Sequence, residues 1–200
     1  MSKSIAIVAG ATAFSVIAGT FAVTLLARSN HDCGATAIAG GDIGGPFELI
    51  SETGETVTDV DLITEPTLIY FGYTYCPDFC PIDAARNAAA VDILAEKGID
   101  ATPVFITVDP ERDTAEVVGY YADNFHDKMI GLTGTPEQIA DVAREYRVVY
   151  SKADDDPEYY LMAHSTFTYL VLPDEGFVEF FRTQQTPEEV AETSACYIEA

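Results

Sequence analysis

Two cysteines stand four positions apart at a junction between two different local patterns. Cys76 and Cys80 follow a continuous apolar run at residues 67–71, which is typical of a strand buried on both faces. An alanine-rich amphipathic segment runs from Pro81 to about residue 97, and proline fits the first turn of a helix. Two thiols between a buried strand and a helix can close a disulfide or, as thiolates, bind a soft metal ion.

Strand-like and helix-like patterns alternate along the rest of the chain. We predict strands at residues 47–50, 56–58, 103–108 and 129–132, a terminal hairpin at 166–172 and 177–181, and helices at 114–125, 135–146 and from 186 onward. Strands that alternate with helices and end in a hairpin and a helix give a mixed sheet flanked by helices. The order predicts an α/β, thioredoxin-like fold.

The N-terminal part of the chain has a different character. Residues 5–27 form an apolar run of 23 residues without a charge, and as a helix the run would extend roughly 35 Å, enough to cross a bilayer. We expect a membrane anchor at residues 1–28, a small, Gly/Ala-rich juxtamembrane linker at 29–45, and a globular thioredoxin-like domain at 46–200 that carries the cysteine loop. The alternative is a signal peptide cleaved at Ala35-Thr36-Ala37, although the apolar run is long for one.

The charges that flank the apolar run predict its orientation. Lys3 precedes it and the chain beyond is strongly acidic, so the positive-inside rule favours an N-terminus in the cytoplasm. The run lacks the Arg-rich pattern of a mitochondrial transit peptide. We therefore expect a single-pass protein of a bacterial inner membrane, with its soluble domain in the periplasm.

The formal net charge is −23, with only 10 basic residues. This balance argues against nucleic-acid binding and against docking on anionic lipid. It would attract metal cations and basic partner surfaces. Because the acidic residues are spread along the chain, solubility or adaptation to salty surroundings explains most of the charge.

A third metal ligand can be sought among the three histidines of the chain. His31 lies beside the apolar run and His126 follows a predicted helix, where a surface or capping role is expected. His164 comes directly before the strand predicted at residues 166–172, whose start lies near the cysteine loop in a thioredoxin-like fold. Two cysteines and a histidine suit copper or zinc; structural zinc usually takes four ligands, so copper is favoured.

Five segments together resemble the Sco/SenC family, whose members are membrane-anchored copper proteins needed to build the CuA centre of cytochrome c oxidase. They are Gly44-Gly45-Pro46-Phe47, the loop from Phe71 to Pro81, the run from Val108 to Thr114, Gly131-Leu132-Thr133-Gly134, and His164-Ser165. The resemblance implies copper(I) or copper(II) bound by Cys76, Cys80 and His164. It implies two partners, the CuA-bearing oxidase subunit and a copper donor protein.

The chain departs from the family pattern at one position and keeps it at others. The family commonly has an acidic residue before the ligand histidine, where this chain has Ala163; its absence is expected to weaken copper(II) binding. Asp78 matches the family, and it either tunes the thiols or caps the next turn. Asp109, Arg112 and Asp113 match too, and we interpret them as an ion-paired loop that braces the following helix.

The other two cysteines are Cys33 and Cys196. Spare cysteines often pair in an oxidising compartment, so we predict a structural Cys33–Cys196 disulfide separate from the Cys76 and Cys80 thiols. Cleavage at Ala37 would remove it.

Four functions compete on this sequence. The leading one is a copper metallochaperone rather than a turnover enzyme. The main alternative is a thiol-disulfide oxidoreductase that reduces the cysteines of the CuA site with Cys76 and Cys80 as redox-active thiols, without His164. A peroxide-reducing enzyme would need a threonine and an arginine beside the cysteine, for which Thr74 and Arg86 are the nearest candidates. A redox or copper sensor has no specific feature in its favour.

Overall fold

The structure is a computed structural model that describes Cys33 and residues 43–153, 156 and 159–200. The predicted membrane anchor and most of the predicted linker lie outside these residues. Within the described part of the chain, no helix has both the length and the apolar character needed to span a membrane.

The described residues form a mixture of short strands and helices in alternating order. The strands are β1 (Glu48–Ser51), β2 (Thr56–Thr58), β3 (Thr67–Gly72), β4 (Thr102–Thr107), β5 (Ile130–Thr133), β6 (Tyr150–Lys152), β7 (Met162–His164), β8 (Thr168–Leu172) and β9 (Gly176–Phe181). The helices are α1 (Asp59–Leu62), α2 (Phe79–Glu96), α3 (Ala115–Asp123), α4 (Pro136–Glu145) and α5 (Pro187–Ile198).

Seven of these strands form one mixed sheet in the order β2-β1-β5-β4-β3-β8-β9. The central strands β3, β4 and β5 are parallel neighbours, whereas β1 and β8 run antiparallel to β5 and β3. All six residues of β3 are buried, as the continuous apolar run predicts. The mixed sheet with its flanking helices confirms the predicted α/β, thioredoxin-like fold.

The long helix α2 is anchored against the last helix. α2 contacts α5, and Leu94 and Val190 are buried there in one apolar cluster with Leu68, Leu170 and Phe181 from the sheet. Lys97 follows as the C-cap of α2, and Gly98 has a φ of 79°, which suits a glycine just past a helix end. This packing holds α2 in place under the loop that follows β3.

Three short elements are absent from the sequence-based prediction. α1 is a single turn closed by a capping box between Thr58 and Asp61. β6 and β7 form a separate two-stranded antiparallel sheet in which Tyr150 lies opposite His164. The prediction placed His164 directly before a strand that starts at residue 166, whereas His164 ends its own strand and β8 begins at Thr168. These three elements are too short to show a hydrophobic period, and no strand–turn–strand signal of the kind that marks β1 and β2 accompanies them.

Candidate metal centre

Three side chains predicted to act together converge at the end of β3. Cys76 lies in the loop between β3 and α2, Cys80 is the second residue of α2, and His164 is the last residue of β7. One potential ligand atom from each lies within 4.8 Å of the others. Pro81 occupies the first turn of α2, as predicted. The two cysteine sulfurs and one ring nitrogen of His164 thus lie close enough together to bind one metal ion.

His164 is oriented by its own backbone neighbour. Its Nδ1 lies 2.9 Å from the carbonyl oxygen of Ser165, and because a carbonyl can only accept, Nδ1 carries the proton. The lone pair is then on Nε2, which lies 3.3 Å from Sγ of Cys80. The rings of Tyr70 and Tyr73 meet the imidazole edge-on at 6.2 and 5.8 Å. The free nitrogen therefore faces the thiols before any metal arrives.

The two thiols differ in environment. Cys76 is half-buried, whereas Cys80 is fully buried. A hydrogen bond from the Cys80 thiol lowers the pKa of Cys76 to about 3 against the effect of partial burial, and the backbone N–H groups of Asp78 and Cys80 lower it further. The Cys76 thiolate and burial together raise the pKa of Cys80. One accessible thiolate thus lies beside one buried thiol.

Gly72 makes room for the buried sulfur. A Cβ atom at this position would lie 2.9 Å from the rings of Tyr70 and Phe105 and 3.0 Å from Sγ of Cys80, closer than real Cβ contacts come. The missing side chain therefore lets Cys80 approach the end of β3, which fixes one ligand close to the sheet.

The cysteine loop is tied to the turn that follows β4. The carboxylate of Asp113 accepts hydrogen bonds from the Thr74 N–H at 2.9 Å, the Thr74 hydroxyl at 2.6 Å and the Thr107 hydroxyl at 2.6 Å. Burial raises the pKa of Asp113 even though these hydrogen bonds oppose it. The predicted Asp109–Arg112 ion pair is present at 2.5 Å. The contact between Thr74 and Asp113 was not predicted from the sequence, because 39 residues separate the two positions and no local pattern indicates such a contact.

A buried polar network lies one turn beyond Cys80 on α2. Asp83 and Arg86 form an ion pair at 2.8 Å with both side chains almost fully buried. Arg86 also donates to Thr168 at 2.6 Å and to the carbonyl of Arg182 at 2.7 Å, and Asp83 accepts from Thr183 at 2.9 Å. Buried charges need such partners, and the network joins α2 to the β8–β9 side of the sheet.

These contacts argue against the peroxide-reducing alternative. Thr74 donates its hydroxyl to Asp113, and Arg86 is directed into the buried network with Asp83. Neither group is presented to Cys76 as an activating donor, which that chemistry would need.

Other residues named from the sequence occupy less central places. Asp78 is the N-cap residue of α2, but its side chain makes no capping hydrogen bond, so the capping interpretation is not supported. Ala163 is exposed, and strand alternation directs it away from the face of β7 that carries His164. His126 has the predicted surface role, with Asp92 at 3.2 Å, and Met162 is part of the core. His31 lies outside the described residues.

The cysteines divide as predicted. Cys33 and Cys196 are disulfide-bonded, whereas Cys76 and Cys80 are free thiols. The pair in the loop is therefore available for metal binding or for redox chemistry.

Several known proteins are similar to this chain in both sequence and fold. The chain matches the SCO1/SenC family over residues 35–199. It is 50% identical over 203 aligned residues to Protein SenC of Rhodobacter capsulatus, covering 100% of this chain and 92% of that protein. The crystal structure of Arabidopsis thaliana ScoI with copper bound is similar with a TM-score of 0.75 and 44% identity, covering 79% of this chain and 99% of that one. The structure of Bradyrhizobium japonicum ScoI with copper bound has a TM-score of 0.70 and 39% identity, covering 78% and 99%.

Proposed function

We propose that this chain, which belongs to the SCO1/SenC family, is a copper metallochaperone that assists assembly of the CuA centre of cytochrome c oxidase. The observation that carries the proposal is the convergence of Cys76, Cys80 and His164 within 4.8 Å. Thiolate and imidazole ligands suit copper, and structural zinc usually takes a fourth protein ligand. Within the described residues, no further Cys, His or carboxylate joins this group.

The three ligands have different tasks in taking up and releasing copper. His164 already directs Nε2 toward the thiols, whereas the Cys80 thiol must lose its proton when copper binds. Cys76 is a thiolate and is half-exposed, so it is the ligand that an incoming or outgoing partner thiol can reach. Copper would pass between proteins by stepwise exchange of ligands at Cys76.

The partners we propose are the CuA-bearing subunit of the oxidase and a copper donor protein. Tyr75 directly precedes Cys76 and Phe79 directly precedes Cys80, and their 62% and 48% exposure gives a partner an apolar contact next to the cysteines. The net charge of −23 favours partners with basic docking faces. Association rates should therefore fall as salt rises.

A second candidate function is thiol-disulfide exchange, and the asymmetry of the two thiols favours it. The Cys76 thiolate would attack a partner disulfide to form a mixed disulfide and release one partner thiolate. Cys80, after losing its proton, would then attack Cys76 and release the second. The partner gains two electrons and ends with two thiols, while this chain ends with a Cys76–Cys80 disulfide. His164 takes no part in that reaction.

We also propose that residues 5–27 anchor the chain in a bacterial inner membrane with the described domain in the periplasm. The length of the uncharged run supports a spanning helix, and the disulfide-bonded Cys33 and Cys196 suit an oxidising compartment. Alkaline phosphatase fused after residue 200 should be active in this topology. An inactive fusion, with the chain in the soluble cytoplasmic fraction, would contradict it.

The test of function compares the parent with His164→Ala, using His126→Ala as a matched control on the surface. Reduced full-length protein should bind about one copper per chain, and His164→Ala should weaken copper(II) binding about 10- to 100-fold or more. In cells that lack the native protein, His164→Ala should fail to restore cytochrome c oxidase. If that variant restores the oxidase while Cys76→Ser does not, thiol exchange is the function instead.

A further inference from the structure

The turn at residues 109–113, between β4 and α3, contacts both halves of the candidate metal centre. The N–H groups of Arg112 and Asp113 donate to the carbonyl of Asp109 at 3.2 and 3.0 Å, so the turn is a compact unit. Its residues carry no potential metal ligand of the cluster. Its side chains reach the cysteine loop on one side and the β6–β7 hairpin on the other.

Asp113 holds the cysteine half. Its buried carboxylate accepts both the N–H and the hydroxyl of Thr74, two residues before Cys76. The ring of Tyr75 lies 4.8 Å from the guanidinium carbon of Arg112, which adds a second contact from the same turn. The cysteine loop is thus fixed mainly through Asp113.

Arg112 holds the histidine half. Its Nη1 donates to the carbonyl of Tyr160 at 3.0 Å, and its guanidinium lies 3.6 Å from the centroid of the Tyr160 ring. The Tyr160 hydroxyl donates to Oδ1 of Asp109 at 2.7 Å, while Arg112 Nε pairs with Oδ2 of the same carboxylate. Tyr160 lies two residues before β7, the strand that ends at His164. We name Asp109, Arg112 and Tyr160 the Arg112 clamp.

We propose that Arg112 is a positioning residue for the metal centre, because the clamp holds the strand of His164 at the distance from the cysteines that a three-ligand site needs. The inference rests on the proposed function and extends it to a residue that touches no metal. The cysteine pair has its own support in Asp113, so loss of the clamp leaves both cysteine side chains in place and releases the histidine. Arginine suits the position because its planar guanidinium donates to the carbonyl of Tyr160, pairs with Asp109 and stacks on the Tyr160 ring at the same time. The ammonium group of a lysine cannot make all three contacts.

The experiment uses reduced full-length protein with copper(II) as the probe and electron paramagnetic resonance as the readout. The parent should show hyperfine coupling to one nitrogen, and Arg112→Ala should lose it while its copper(II) dissociation constant rises about 10- to 100-fold. Copper(I), which two thiolates can hold, should change by less than about tenfold in a chelator competition. Arg112→Lys should not restore the nitrogen coupling, whereas Tyr160→Phe, which keeps the ring, should retain it.

The matched control is Arg144→Ala. Arg144 pairs with Asp141 at the same i,i+3 spacing and a similar distance of 2.7 Å, but on the exposed surface of α4. It should behave as the parent in every measurement. The reduction potential of the Cys76–Cys80 pair in metal-free protein is a further readout. Arg112→Ala should change it only slightly, because Arg112 reaches the cysteine loop only through the rings of Tyr73 and Tyr75, while the hydrogen bonds of Asp113 to Thr74 stay in place.

The outcomes separate this inference from the proposed function. Nitrogen coupling and copper(II) affinity equal to the parent's in Arg112→Ala would overturn the positioning role alone. A parent that shows no nitrogen coupling, or that matches His164→Ala, would overturn both. Should Arg112→Ala fail to fold, Tyr160→Leu removes the stacked ring and the hydroxyl contact instead, and retention of parental coupling in that variant would equally overturn the positioning role.

Discussion

The backbone N–H of Cys80 donates a hydrogen bond to Sγ of Cys76 at 3.4 Å. The donor belongs to the first turn of α2, where N–H groups lack partners within the helix and stabilise negative charge. The sulfur of Cys80 instead lies beside Nε2 of His164 at 3.3 Å, in a fully buried place. Although only four positions separate them, the two cysteines have opposite properties. Cys76 is accessible and ionised, whereas Cys80 is buried and protonated.

Cys76 should be the thiol that alkylating reagents modify first. With its pKa lowered to about 3, Cys76 is already a thiolate at pH 5, so its rate with iodoacetamide should hardly change up to pH 8. An ordinary thiol would gain about tenfold per pH unit over much of this range. Mass mapping of reduced, metal-free protein after short labelling measures both the site and the rate. Labelling that starts at Cys80, or a rate that climbs with each pH unit, would contradict the assignment.

Gly72→Ala should disturb the metal centre without touching a ligand. The added Cβ would meet the rings of Tyr70 and Phe105 at 2.9 Å and Sγ of Cys80 at 3.0 Å, so the sulfur or the rings must move. Overpacking of this kind costs about 1–3 kcal/mol in the free energy of unfolding, and copper affinity should fall as well. Gly54→Ala is the comparison: its φ of 81° makes alanine strained there, but its Cβ position is open, so this variant should lose stability while its copper affinity stays at the parent's value. Equal copper affinity in the parent and Gly72→Ala would count against this account.

Asp113→Asn should change stability in a pH-dependent way. Burial raises the pKa of Asp113, so the folded state holds its proton more tightly than the unfolded state does. The resulting stability is fully present below the unfolded pKa of about 3.9 and is lost as pH rises through the folded pKa. An amide does not titrate, so the advantage of the parent over Asp113→Asn should be largest in acid and should shrink toward neutral pH.

Urea unfolding of both proteins at a series of pH values measures this difference. Asp83, whose pKa burial also raises, is present in both proteins and cancels in the comparison. An advantage of the parent that instead grew with pH would mean that the three hydrogen bonds to the carboxylate outweigh its burial.

Loss of the disulfide should weaken the domain and spare the metal centre. Cys33 and Cys196 are the disulfide-bonded cysteines, and a bridge between positions so far apart in sequence contributes about 2–5 kcal/mol. Cys196→Ser should lower the free energy of unfolding by that amount, with copper stoichiometry unchanged. A single bridge between the two cysteines, as the sequence predicts, would make the double variant with Cys33→Ser no less stable than either single variant. Single variants as stable as the parent would show that the bridge contributes nothing.

Much of the fold follows from local patterns that need no tertiary information. Residues 67–71 predict β3 because a strand buried on both faces is apolar throughout, and Pro81 marks the start of α2 because its missing N–H is harmless in a first turn. The Thr135-Pro136 and Thr186-Pro187 pairs predict the starts of α4 and α5, and both are observed. These signals act within one or two turns of chain, which is the range over which a sequence pattern can be interpreted physically.

The sequence by itself determined most of the elements, their order, and the residue types able to bind a soft metal, because side-chain periodicity and thiol and imidazole chemistry are local properties. Tertiary structure alone decided that Cys80 is buried while Cys76 is open, that Asp113 holds Thr74 across 39 residues, and that Arg112 stacks on Tyr160. Such contacts join segments that meet only when the sheet has formed, and burial sets the protonation of each thiol only then. The strand β7, which carries His164, has only three residues, too few to be predicted from a sequence pattern. The position of β7 depends on its packing against the turn at residues 109–113.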